Sequence, residues 1–131
     1  MNFIKFKLLL ILSVFILGPH YVNADHHEKI KILYMGGRDH DWKGYYESIV
    51  PLFKKQEDFE LIFSNKLDDL KAENIKKYDV VLFFGSGGNF TDKSQESGLE
   101  EYLKNGGGIV GVHATDAFKK SDAYWKIFGG Q

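Results

Sequence analysis

Residues 79–85 read DVVLFFG, five apolar side chains in a row between an aspartate and a glycine. A strand with one wet face alternates apolar and polar residues. A run without alternation fits a strand buried on both faces, as in a parallel sheet with helices packed on each side. The glycine-rich stretch GSGGNF, residues 85–90, then reads as the loop that carries the chain off the strand.

The same punctuation recurs in both directions. IKILYM, residues 30–35, is β-branched and aromatic and stops at a glycine pair, so it reads as the first strand. FELIFS, residues 59–64, reads as the second, DVVLFFG as the third and GIVGVHA, residues 108–114, as the fourth. Between the first two, Tyr45, Ile49, Leu52 and Phe53 recur at helical spacing. Pro51 requires that this helix start near Ser48 or bend at the proline. The connector DDLKAENIKKY is polar, with one helical turn expected around residues 73–77. Thr91 or Asp92 can cap a helix with Leu99, Tyr102 and Leu103 on its apolar side, ended by Gly106 and weakened by Gly98. Residues 121–128 read as the start of a further helix. Strands alternating with helices predict a parallel α/β sheet with right-handed crossovers. Four strands are few for such a sheet, and the fourth is as apolar as the third. The chain is therefore expected to be the N-terminal part of a longer domain.

The first 24 residues are expected to lie outside that fold. Lys5 and Lys7 precede an apolar run over residues 8–17, interrupted only by Ser13 and broken by Gly18-Pro19. Val22-Asn23-Ala24 supplies the small residues of a cleavage site. This is the pattern of a secretory signal peptide, and the apolar run is shorter than the ~20 residues that cross a bilayer. Residues 1–24 are thus assigned to a signal peptide and residues 25–131 to one domain, exported to the periplasm or beyond. No stable membrane insertion is expected after cleavage. The remaining chain carries 15 basic and 18 acidic side chains, a net charge of −3. That excludes the concentrated basic surface that nucleic-acid binding needs. The chain has no cysteine, which excludes disulfides and a thiol nucleophile.

In open α/β sheets ligands bind beyond the carboxyl ends of the strands. If the first strand pairs with the third and the third with the fourth, three loops meet there: GGRDHDW, GSGGNF and HATDAF. The first offers Arg38 to grip an anionic group, His40 to move protons or bind a metal, and Trp42 to stack on a sugar ring. Gly37 and Gly87 let backbone approach a ligand. The second loop lacks the last glycine of the dinucleotide fingerprint, where Phe90 stands, and has no phosphate-binding lysine. Asn89 opens an NFT glycosylation sequon, relevant only in a eukaryotic secretory pathway. In the third loop His113 stands at the end of a strand, where a histidine is more often a hydrogen-bonded core residue than a working one. Its place at the carboxyl end, with Thr115 and Asp116 directly after it, favours a site. Asp116 could then orient the imidazole. His26-His27 reads as a solvated leader able to bind metal adventitiously.

GGRDHDW, KKYDVVLFFGSGG and YLKNGGGIVGVHATDAF…YWKIFGG together resemble the ThuA-like (trehalose-utilisation) family, from about Lys29 to the last residue. The resemblance implies a fold like that of class I glutamine amidotransferases, a flavodoxin-like three-layer sandwich with a parallel sheet. Family members are usually longer than this chain, which again implies C-terminal truncation. In the amidotransferases the turn after the corresponding strand carries a cysteine nucleophile. Here it reads Gly111-Val112-His113-Ala114, so glutamine hydrolysis by a thiolate is excluded. The family is linked to disaccharide and keto-sugar metabolism, often in exported proteins, and its histidines match His40 and His113. The resulting expectation is an exported domain acting on a carbohydrate or keto-sugar derivative. His113, His40 and Asp116 would be catalytic; Arg38, Trp42, Gly37 and Gly87 would bind substrate. A divalent metal on His40 and His113 is compatible with these residues, as is a homo-oligomer. The competing readings are a non-catalytic carbohydrate-binding accessory domain and an inactive fragment.

Overall fold

A computed structural model describes residues 28–36, 40–84, 88–113, 118 and 120–129. In chain order these form β1 (Ile30–Gly36), α1 (Trp42–Lys54), β2 (Phe59–Ser64), a 3₁₀ turn (Leu67–Leu70), α2 (Ala72–Ile75), β3 (Val80–Phe84), α3 (Lys93–Lys104), β4 (Gly108–Val112) and α4 (Asp122–Phe128). The strands make one sheet in the order β2-β1-β3-β4, every pair parallel. The register is level where it matters. Gly36 pairs with Phe84, and Phe84 with Val112, so β1, β3 and β4 end in one row.

The pleat divides the apolar residues between two cores. Leu33, Met35, Val81 and Phe83 share one with Ile75, Leu99, Tyr102 and Tyr124, from α2, α3 and α4. Ile32, Tyr34, Leu82 and Phe84 share the other with Ile49 of α1. The result is the flavodoxin-like three-layer sandwich that the unbroken apolar run of β3 requires: Val81 through Phe84 are all buried. β4 departs from that expectation. Equally apolar in sequence, it is half-buried to exposed along its length, with Val110 45% exposed.

The helices start and stop where their side chains satisfy orphan backbone groups. At α3, Asp92 accepts from the Ser94 amide at 2.8 Å while Gln95 Oε1 accepts from the Asp92 amide at 3.3 Å, a reciprocal capping box. Gly106, at φ 94°, follows its last turn. α1 does not start near Ser48. It starts at Trp42, capped by Asp41, and continues through Pro51 to Lys54. The missing N–H leaves the carbonyl of Glu47, an exposed residue, without its helical partner. Leu52, expected on the core face, is instead 59% exposed. The helical turn in the polar connector falls at residues 72–75 rather than 73–77, and Leu70 and Ile75 anchor that connector in the core. Among the described residues, no helix is long and apolar enough to cross a membrane.

Candidate functional site

The row formed by Gly36, Phe84 and Val112 is the floor of a rim. His40 enters it from the β1 side. Its carbonyl accepts from the Trp42 amide at 2.6 Å, and Asp41 next to it caps α1 by accepting from the Gly44 amide at 2.9 Å. The carboxylate lies close over Gly44: a Cβ at that position would be 2.2 Å from Asp41 Oδ2, so the capping side chain would have to shift. The histidine is thus held by the first turn of a helix rather than by a free loop. His113 enters from the β4 side, one residue beyond the strand, at φ 61°. A non-glycine residue in the left-handed region stores strain, and such residues cluster at functional sites.

The two imidazoles meet. Their ring centroids are 4.7 Å apart, with the planes at 73°. His113 is exposed and His40 half-buried, so the pair faces solvent instead of lying in the core. Beneath it is an aromatic layer. The His113 ring lies 6.1 Å from that of Phe84, which stacks on Tyr45 at 4.3 Å. Tyr34 lies behind both, wholly buried, and donates to the Trp42 carbonyl at 2.7 Å. Burial pushes the Tyr34 phenol well above its ordinary range, so it remains a donor at all physiological pH.

The model of the ThuA family, described as trehalose utilisation, matches residues 25–131. The chain belongs to the ThuA family. No curated protein matches it significantly. Among solved structures, a ThuA-like protein from Bacteroides uniformis superposes with a TM-score of 0.63 at 24% identity, over 85% of this chain and 48% of that one. A ThuA-like protein from Parabacteroides merdae gives 0.64 at 23% identity, over 76% of this chain and 38% of that one. At such identity the likeness is one of fold. This ThuA chain spans about half the length of the first relative and less of the second.

Of the site residues expected from sequence, the fold brings His40 and His113 together. Trp42 lies nearby, but its indole stacks on Phe63 at 5.1 Å and 6°. It also lies so close over Gly36 that a Cβ there would be 2.8 Å from the ring. One face of the ring is therefore committed to the α1-side core. Gly37, Arg38, Gly87 and Asp116 fall outside the described residues. Among the described residues no group of three or more histidine, aspartate or glutamate side chains is arranged around an ion.

Tyr45 packs on the α1-side core as expected, stacking on Phe84. Sequence reasoning missed a feature beside the start of α3, where a cavity of about 220 Å³ is lined by Asn89, Phe90, Glu96, Phe118 and Lys120. Phe90 stacks on Phe118 at 4.0 Å, and Ser121 hydrogen-bonds Glu96. Only the spacing of Phe90 from the glycines could have signalled it, and that spacing was legible merely as a mismatch to a nucleotide motif.

Proposed function

We propose that this chain is an exported ThuA domain that acts on a carbohydrate or keto-sugar derivative at the rim formed by β1, β3 and β4. One observation carries the reading: two imidazoles from loops 73 residues apart in sequence stand 4.7 Å from each other on a solvent-facing edge, one on strained backbone. His113 acts at the reacting atoms, by moving a proton or by holding an ion that polarises them, and His40 assists. Asp116 orients His113, while Arg38, Gly37 and Gly87 position the substrate's polar groups. Half-buried Tyr45, backed by the buried ring of Phe84, gives a sugar ring an apolar surface beside polar groups, the usual composition of a small-molecule site.

The test is turnover of trehalose, other disaccharides and their keto derivatives by the wild type and by His113→Asn. Asparagine tolerates the left-handed backbone, so the variant removes the imidazole while sparing the fold. Loss of a general acid/base lowers the rate ~10²–10⁴-fold. Unchanged turnover removes His113 from the mechanism. Calorimetric binding of a sugar with no product after long incubation would mark the domain as an accessory binder.

A further inference from the structure

We propose that His40 and His113 together bind one divalent first-row transition ion of the zinc, nickel or copper class. The proposal rests on the reading of this rim as the working site and names the group it would use. Two imidazoles that bind one ion through nitrogen at ~2.0–2.1 Å, at angles between square and tetrahedral, have centroids roughly 4.5–5.3 Å apart. The observed 4.7 Å lies within that interval. The rings stand at 73° to each other rather than stacked face to face, which leaves room for both to converge on a third atom. The pair faces solvent, so an ion can enter and keep positions open for water or substrate oxygen. Imidazole nitrogen selects these ions over magnesium or calcium, which prefer oxygen ligands.

His113 takes a positive φ of 61°, and its ring lies 4.7 Å from that of His40 beyond the end of β3. With an ion bound, vicinal hydroxyls or a carbonyl of a sugar would complete the coordination, and the ion would act as a Lewis acid on that oxygen.

The chain has five histidines, and three of them, His20, His26 and His27, precede residue 28. Replacing those three with serine in the full chain leaves His40 and His113 as the only imidazoles. Titration of this protein with zinc chloride in a calorimeter is expected to give one ion per chain, and magnesium chloride no heat. Copper(II) bound to it is expected to show hyperfine coupling to two imidazole nitrogens by electron paramagnetic resonance. His40→Asn and His113→Asn should each weaken zinc at least tenfold. Absence of zinc binding, a copper spectrum with fewer than two imidazoles, or affinity unchanged in both variants overturns the proposal. The rings are then simply an edge-to-face pair. None of these readings involves sugar, so the ion can fail while turnover survives. Turnover that resists chelators would leave proton transfer by the same histidines standing.

Discussion

His113 occupies a backbone conformation that its side chain disfavours. The left-handed region costs an L-residue with a Cβ roughly 1–2 kcal/mol, and a β-branched residue more than most. The expected order of stability at this position is therefore glycine at or above histidine, and histidine above valine. His113→Val should lose about 1–2 kcal/mol by urea denaturation. His113→Gly should hold or gain stability while losing function, the usual trade at a strained working residue. If all three proteins unfold at the same midpoint, the strain is not there. At Tyr34 the balance is reversed. The ring is wholly buried and its hydroxyl satisfies the Trp42 carbonyl in the first turn of α1. That carbonyl also accepts within α1, so Tyr34→Phe removes a second bond to it and should cost ~0.5–1.5 kcal/mol, read as a lowered denaturation midpoint.

At the level of elements, α3 shows how a residue that looks like a defect can be a requirement. Gly98 lowers the helix propensity of α3. Yet a Cβ there would lie 2.3 Å from the Leu70 carbonyl oxygen and 2.6 Å from the Ala72 amide nitrogen. The glycine is what lets α3 lie directly on the connector that leads into β3. Gly98→Ala would gain about 1 kcal/mol of helix propensity and lose more to backbone that has to move. A net loss of roughly 1–3 kcal/mol by denaturant titration is expected. The same contact is tied electrostatically. Asp68 is held below the ordinary carboxylate range by its hydrogen bond from Gln95 and then by Lys71; Asp92 is held low by the Ser94 amide. Both carboxyls have folded values below their unfolded ones. Their contribution is therefore present above the ordinary aspartate range, near pH 4, and lost as pH falls through the folded values. An acid limb below pH ~4 should flatten in the Asp68→Asn and Asp92→Asn double variant. A limb of unchanged shape would assign acid unfolding to other groups. At the far end of α3 the sign is opposite. Burial pushes the Tyr102 phenol, which donates to the Gly108 carbonyl, from 10.0 up to about 12. Its folded value exceeds its unfolded one, so stability is intact below pH ~10 and falls as pH rises toward about 12. Tyr102→Phe should remove that portion of the alkaline limb.

Across the whole molecule, the sheet is unevenly covered. β1 and β3 are buried on both faces, while β4 stands at one side of the described sheet with Val110 45% exposed. An apolar strand in that position favours pairing with another chain. Val110→Lys is expected to change stability by no more than ~0.5 kcal/mol, the range of surface substitutions, and to reduce self-association. Light scattering across a concentration series would read the change. Equal association by both proteins would locate the contact elsewhere.

What the sequence could determine was set by local apolar pattern. Residues 80–84 have no polar member, which predicted burial on both faces, and the glycine-rich loop after them made the strand–loop–helix order readable. Thr91 or Asp92 marked the start of the next helix in the same way, and Asp92 is the cap. Contacts distant in sequence decided the rest. The connector over residues 68–78 reads as polar, but Leu70 and Ile75 are buried because α3 packs over them. α1 continues through Pro51, where Glu47, the residue whose carbonyl loses its helical partner, is exposed. β4 looks like β3 in composition, yet the described helices cover it less. The local marks of His113, its place at a strand's carboxyl end and the polar residues after it, favoured a site but left open which side chain it would meet. Its neighbour His40 lies 73 residues earlier, and only the parallel register that levels Gly36, Phe84 and Val112 brings the two rings together. Periodicity records which face of an element is apolar, whereas the meeting of two loop side chains depends on strand order and register, which the tertiary structure alone decides.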